Sequence, residues 1–308
     1  MAEKSTMKPP RFRLEFWGVR GSYPTPDKTT LAYGGHTSCV EAAVGAHHLI
    51  FDAGTGIIPL GKKFANGRSG PQHLNLFLSH THHDHVFGFY FFEPLFRPGN
   101  RICVFGPGSP EMSLHDTLRA VMEPRFFPVK LHDINANSKF YSLQGGERIA
   151  LRDSRDLPRV ERGAAGEAGN GVTILVKKSK AHPNGVLLYR INYRGKSAVY
   201  ATDVEQKNGG HPDIVHFIRG ADVLIHDAQY LNREYHSATS PRKGWGHSTV
   251  ERAAEVAKKG GVKRLILFHH EPTHDDATIT AMEKRAQGIF PATTAAYEGM
   301  KLDLFRLR

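Results

Sequence analysis

One segment, Ser79-His80-Thr81-His82-His83-Asp84-His85, directly follows the apolar run Leu74–Leu78 and constrains this 308-residue chain more than any other feature. Side chains two apart on an extended backbone point to the same side, so His80 and His82 can converge on one ion. Asp84 and His85 come where the chain turns away and can face a second. Neutral imidazole and carboxylate are the ligand types that suit zinc and its first-row neighbours. A solvated His-rich turn is the plain alternative, but the pattern H-x-H-x-D-H straight after an apolar strand argues against it. The 19 histidines are themselves a high number for this length.

Composition excludes several classes. The chain is 40% hydrophobic and 23% charged, with no long biased tract, so neither disorder nor a fibre describes it. No linker divides it, and residues 1–308 read as a single domain. The longest greasy run, Val86–Phe92, is far short of the roughly 18 residues a membrane helix needs. The N-terminal MAEKSTMKPPRFR is polar and basic, unlike a secretion signal. Cys39 and Cys103 form no CxxC pair or disulfide framework, so a reducing, cytoplasmic location is expected, with no membrane partner. With 41 Lys+Arg against 30 Asp+Glu the net charge is +11, which suits an anionic partner. No block of like charge stands out, so nucleic acid is not favoured on charge alone.

Strands are expected at 13–17, 38–44, 48–51, 74–78, 102–105, 172–176, 186–193, 197–201, 223–225, 265–268 and 302–307. Arg194, Gly195 and Lys196 form a connection of hairpin length. Helices are expected at 57–64, 111–122, 211–219, 248–259 and 276–287. In the fourth, Val250, Ala253, Ala254 and Ala257 share one face, and Ser248 with Glu251 makes a capping box. Residues 151–170 are charged and Gly/Ala-rich without a period, which reads as a flexible surface insertion. Early and late sets of strands, each mixed with helices, suit an α/β or α+β domain.

With these residues in view, the chain resembles the metallo-β-lactamase fold superfamily. Asp52, in Ile50-Phe51-Asp52-Ala53-Gly54-Thr55-Gly56, resembles the family's early buried aspartate, which braces the metal loop. His182, in Lys180-Ala181-His182-Pro183, resembles the third ligand of the first ion. Asp203, ending Val199-Tyr200-Ala201-Thr202-Asp203, resembles the carboxylate that bridges both ions. His269 resembles the last ligand of the second ion, with adjacent His270 as the alternative. The resemblance covers residues 13–275. It implies a four-layered αβ/βα sandwich with two divalent ions at one edge of its sheets, zinc first and manganese or iron as alternatives.

Three further segments resemble the tRNA 3′-processing ribonuclease Z and its phosphodiesterase relatives: Gly18-Val19-Arg20-Gly21-Ser22, Thr37-Ser38, and Gly246-His247-Ser248-Thr249. Flavodiiron oxidoreductases would show a carboxylate where His82 stands. The chain also departs from the ribonucleases. From His182 to Asp203 is 203 − 182 = 21 positions, leaving no room for the tRNA-gripping arm of bacterial ribonuclease Z. That spacing is more similar to the cyclic-phosphate phosphodiesterase of the carbon–phosphorus lyase pathway, whose cysteine-rich zinc site has no counterpart here. In His226-Asp227-Ala228-Gln229, Asp227 stands where the ribonucleases carry Glu.

Two ions about 3.5–4 Å apart can hold a shared hydroxide, because they lower the pKa of water from 15.7 towards about 7. The candidate catalytic residues are Asp84, which doubles as a ligand, His247 as proton donor to the leaving alkoxide, and Asp227 as its carboxylate partner. His247 precedes Ser248, read as the helix cap, so the first helical N–H groups would face an anion beside it. His83 is expected to face solvent or the substrate mouth; His36, His270 and His274 are expected to be supporting or surface groups. The aromatic run Phe87–Phe96 reads as core, with a homodimer contact or pocket wall as alternatives. In the loop 228–246, Tyr230, Arg233, Tyr235, Arg242, Lys243 and Trp245 could stack on a base and hold phosphate, or form a plain connection. The resulting expectation is a metal-dependent hydrolase acting on a small or cyclic phosphodiester. The alternatives are a tRNA 3′-processing endoribonuclease, a carboxylic ester, lactone or lactam hydrolase, and a non-enzymatic RNA-binding or scaffold protein with a vestigial site.

Overall fold

The computed structural model of the protein describes residues 10–67, 70–153, 156–163 and 171–307. Six strands open the chain: β1 (Phe12–Gly18), β2 (Cys39–Val44), β3 (His47–Phe51), β4 (His73–Phe77), β5 (Arg101–Pro107) and β6 (Asn137–Leu143). Eight follow: β7 (Glu147–Leu151), β8 (Arg159–Arg162), β9 (Val172–Ser179), β10 (Val186–Tyr193), β11 (Lys196–Ala201), β12 (Val223–Asp227), β13 (Leu265–Phe268) and β14 (Thr293–Ala295). The last, β15 (Lys301–Asp303), returns to the first sheet beside β1. The sheets run β15-β1-β2-β3-β4-β5-β6 and β14-β13-β12-β11-β10-β9-β7-β8. The helices are α1 (Ile57–Gly67), α2 (His83–Val86), α3 (Leu114–Val121), α4 (Pro212–Ile218), α5 (Asn232–Tyr235), α6 (Val250–Gly260) and α7 (Asp276–Gln287).

Every residue of β2, β3, β12 and β13 is buried, the mark of strands covered on both faces. Three cores provide that cover. Phe16, Phe51, Phe77, Tyr189, Tyr200 and Phe268 fill the space between the sheets. Leu60, Phe64 and Leu118 pack α1 and α3 on the outer face of the first sheet. Ile214, Val250, Ala254 and Met282 pack α4, α6 and α7 on the outer face of the second. The result is the expected αβ/βα sandwich. Between the sheets, Phe51, Phe77, Phe105 and Tyr141 stand on neighbouring parallel strands and stack with centroids 5.2, 4.8 and 4.6 Å apart. Such cross-strand aromatic pairs hold register.

Several boundaries differ from expectation for local reasons. Tyr193 pairs with Lys196, so the hairpin turn is only Arg194-Gly195, with φ of 47° and 74°. Two successive positive φ values suit the twist of the flanking strands. Within 151–170, Arg159–Arg162 forms the edge strand β8, joined to β7 by Arg162–Glu147 and Arg148–Glu161 ion pairs of 3.2 and 3.5 Å. The rest of that expected insertion at 154–155 and 164–170 lies outside the described residues. The C-terminal strand stops at Asp303 rather than running to Leu307. The cap of α6 is Thr249, whose hydroxyl accepts from Arg252 N, and not Ser248. The Ser248 hydroxyl is already engaged, donating to Val204 O and accepting from Gln206 N at 3.0 Å. Among the described residues no helix is long and apolar enough to cross a membrane.

Candidate metal centre

Parallel strands of both sheets end on the same edge and deliver their next residues to one cluster. Asp52 follows β3, Ser79 and His80 follow β4, Asp203 follows β11, Asp227 ends β12 and His269 follows β13. The turns are sharp. Six non-glycine residues among those described have positive φ, and Ser22, Asp52, Asp203 and His269 are four of them, at 60°, 60°, 56° and 61°. Residues with a Cβ rarely hold this conformation, and such strain gathers where side-chain placement matters.

Four overlapping groups of donor atoms result, each with its members within 4.8 Å of one another: His80, His82 and His182; Asp84, His85, Asp203 and His269; and two that bring in the rim, His182, Asp203 and His247, and Asp227, His247 and His269. The first two carry the pattern expected from the sequence. In the first, His182 Nε2 lies 3.1 Å from His82 Nδ1. In the second, His85 Nε2 lies 3.2 Å from His269 Nε2 and from Asp84 Oδ2, and His269 Nε2 is 3.1 Å from Asp84 Oδ2. Asp203 joins them. Its Oδ2 is 3.3 Å from His85 Nε2, 3.5 Å from His80 Nε2 and 3.9 Å from His182 Nε2, and its Oδ1 is 3.3 Å from His269 Nε2. Two nitrogens each about 2.0–2.1 Å from one tetrahedral zinc sit about 3.3 Å apart, so these spacings match the edges of such a site.

The hydrogen bonds behind the cluster aim the rings. Asp52 accepts from Ser79 N, Ser79 Oγ, Tyr200 Oη and His85 Nδ1, the last at 2.7 Å. His182 Nδ1–H donates to Gly246 O at 3.1 Å, and His269 Nδ1 meets Gln229 Oε1 at 3.0 Å. Gln229 donates its own amide to Glu271 and Ser22, which leaves its oxygen for His269. Ser22 N holds Asp84 Oδ2 at 2.7 Å. With each Nδ1 proton committed outward, the Nε2 atoms of His85 and His269 face each other, a contact that requires a proton on one ring or a cation between them. Buried His80 Nε2 has no hydrogen-bond partner, and a cation among these rings would serve all three. These residues therefore fit a divalent metal.

Electrostatics agree. Burial, reinforced by His85, pushes His80 well below the usual histidine range, and burial also lowers His82 and His182, leaving neutral imidazoles. Burial alone would raise Asp84 and Asp203, but the facing histidines hold both well below the usual carboxylate range. Burial would likewise lower His85, yet Asp203, Asp84 and Asp52 raise it well above normal. That is the field of a site built for positive charge.

His247 stands at the rim, its ring stacked on His269 with centroids 4.9 Å apart. Its Nδ1 meets Asp227 Oδ2 at 2.9 Å. Burial would lower its pKa, but Asp227 prevails and carries it to about 9. Two close approaches make this packing possible: a Cβ on Gly21 would lie 2.3 Å from the His269 ring, and one on Gly246 2.1 Å from His182 Nδ1.

The family model described as Beta-lactamase superfamily domain matches residues 47–270, more than two-thirds of the chain. The chain belongs to that superfamily. Within it, the ribonuclease Z of Pyrococcus horikoshii is 24% identical, over 95% of this chain and 98% of the relative. Among solved structures, a diphosphatase of the PhnP family gives a TM-score of 0.64 at 17% identity, covering 95% of this chain and 97% of that one. The short form of human tRNase Z gives 0.57 at 18%, covering 95% and 99%. This β-lactamase-superfamily chain is thus a metal-dependent hydrolase, and the relatives it is similar to include ribonuclease Z proteins. Its fold implies divalent metal, with which the donor set above agrees.

The structure places the other expected residues clearly. His270 turns away from the cluster: Nε2 meets Ala296 O at 2.9 Å, and burial lowers its pKa to about 3. His83 is exposed, His36 meets Thr55, and His274 meets Glu234. In the aromatic run, Phe89 and Phe92 are buried, whereas Phe87 and Phe91 are over 40% exposed. In the loop 228–246, Tyr230 and Tyr235 are buried and cannot stack on a base, while Trp245 is exposed beneath the Arg242 guanidinium. Sequence reasoning missed Gln229, Tyr200 and Glu205. Glu205 accepts from Gly244 N and Gly246 N at 2.9 and 3.0 Å and so pins the loop that delivers His247. Tyr200 and Gln229, like Ser22, lie inside segments compared with the family, but nothing in those segments marks the roles they take here.

Proposed function

We propose that the chain is a phosphodiesterase acting on small or cyclic phosphodiesters with two divalent ions, zinc being the metal its donors suit best. His80, His82 and His182 would hold one ion, Asp84, His85 and His269 the other, with Asp203 between. When bound, such ions make water a nucleophile near neutral pH and take up charge on a phosphoryl oxygen. The chain's own residues supply the rest. Protonated His247 gives Nδ1–H to Asp227 and keeps Nε2–H for the departing alkoxide, while Asp227 holds the ring in place. Asp52 and Gln229 keep His85 and His269 oriented.

The observation that carries this reading is the His247–Asp227 pair against the cluster, since an alkoxide leaves badly without a proton. The preference for small substrates is supported by the β10–β11 hairpin, which joins His182 to Asp203 through a two-residue turn with nothing inserted. The ribonuclease reading is favoured by the relatives named Ribonuclease Z and by the +11 charge. Net charge is screened by salt, whereas a missing arm is not. Side-by-side kinetics at physiological salt test the choice: a cyclic nucleotide should show the higher kcat/KM, and efficient trimming of precursor tRNA would reverse it.

A further inference from the structure

Beside His182 the surface opens into a cleft of about 660 Å³, a size that takes a nucleotide-sized ligand. Lys178, Lys180, Lys207, Glu205 and Asp213 line it. The two carboxylates are committed elsewhere: Asp213 pairs with Lys177 at 2.8 Å, and Glu205 takes Gly244 N, Gly246 N and the Tyr235 hydroxyl. Lys178, Lys180 and Lys207 have no carboxylate partner among the described residues. The cleft therefore carries uncompensated positive charge.

It also borders the metal centre. Lys178 and Pro183 line both this cleft and a smaller cavity of about 290 Å³ whose wall includes His80 and His82. A ligand over the cluster that extends past Lys178 enters the lysine cleft. Phosphate oxygens there would meet ammonium groups, and charge-assisted contacts of this kind are stronger than neutral ones.

We propose that this cleft is an anion subsite that holds a second phosphate of the substrate, one nucleoside away from the scissile bond. Among small phosphodiesters, the favoured substrates are then those bearing an additional phosphate group. The proposal rests on the phosphodiesterase reading above, and two measurements separate them. Lys180 and Lys207, which are exposed and line this cleft but not the smaller cavity beside His80 and His82, can be removed together in K180A/K207A without disturbing the core.

Calorimetry on the zinc-loaded protein compares adenosine 3′,5′-bisphosphate with adenosine 3′-monophosphate, neither of which is a diester. The wild type should bind the bisphosphate about tenfold more tightly, as one or two charge-assisted contacts imply, and the K180A/K207A variant should lose most of that preference. A ratio near one in the wild type, or a ratio that survives in the variant, overturns the subsite. In parallel, both proteins should hydrolyse bis(p-nitrophenyl) phosphate, which has no second phosphate, at the same rate, and a selective loss of that activity in the variant also counts against the subsite. No hydrolysis by the wild type would sink the phosphodiesterase reading, while the binding ratio would still decide whether the cleft selects a second phosphate.

Discussion

The segment 79–85 and the segment 226–248 serve the same cleft by different means. The first brings His80, His82, Asp84 and His85 from one strand end and the short helix α2, so its geometry is nearly local. The second brings Asp227 and His247 together across twenty positions. It does so through the end of β12 and a loop tied down by Glu205. The difference separates two jobs. A contiguous run of donors can gather charge, whereas a proton donor must be held at the rim by contacts made elsewhere in the fold. Damage to the first segment should therefore remove metal, and damage to the second should remove chemistry while metal stays.

The largest effect is expected at the shared carboxylate. Asp203 touches histidines of both donor groups, so Asp203→Ala should lower metal content as well as rate. Elemental analysis should give nearly two ions per wild-type chain and clearly fewer in Asp203→Ala and His82→Ala. One tight ion in the wild type, or an unchanged count in both variants, breaks the assignment.

His247→Ala tests the other side of the comparison. Metal content should stay, and hydrolysis of an alkyl phosphodiester should slow by roughly 10²–10⁴, the usual contribution of a positioned acid. The loss should shrink with a nitrophenyl leaving group, which departs with little help. Equal losses on both substrates would mean that His247 does something other than donate a proton.

Glu205→Gln should act more mildly, by loosening the loop that presents Gly246 O to His182 and His247 to the rim. Weakening a charged hydrogen-bond acceptor costs on the order of 1.5–3 kcal/mol, much of it in stability, so a fall of about tenfold in kcat is expected with metal retained. As for His247→Ala, the fall should be steeper for alkyl than for nitrophenyl esters. A uniform fall would assign Glu205 to packing alone.

The same contrast explains what could be read from the sequence alone. The cluster at 79–85 was legible because its histidines and aspartate are neighbours in the chain, and the buried strands because their apolar runs are continuous. Strands β6, β7, β8 and β14 were not, since their residues are polar or alternate weakly and are specified by pairing partners. Ser248 has the residue type of a cap, but its hydroxyl is captured by Val204 and Gln206, leaving Thr249 to cap α6. The role of Gln229 could not be read from its segment, because nothing local marks an amide that orients His269 from another strand. The choice between His269 and His270 likewise depended on which ring faces inward.

A second buried ionic cluster, remote from the donors, sharpens the comparison and should affect activity least. Glu41 meets His48 Nδ1 at 2.6 Å and Lys63 Nζ at 3.2 Å, and Lys63 also reaches Glu15 at 2.9 Å. Burial alone would raise the Glu41 carboxyl, but His48 and Lys63 prevail and bring it from 4.5 to about 2. A depressed carboxyl stabilises the fold above its unfolded pKa and loses that contribution as pH falls through the folded value. At about 1.4 kcal/mol per unit, the shift sets a ceiling of about 3 kcal/mol at neutral pH. Glu41→Gln should therefore lower the urea midpoint most at pH 7, with the gap to wild type closing as pH falls from about 4.5 towards 2. Its kcat and metal content should stay at wild-type levels, because no donor residue touches this cluster among the contacts described. A gap that did not change with pH would place the stabilisation in shape and hydrogen bonding rather than in charge. A loss of metal would show that the two clusters are coupled after all.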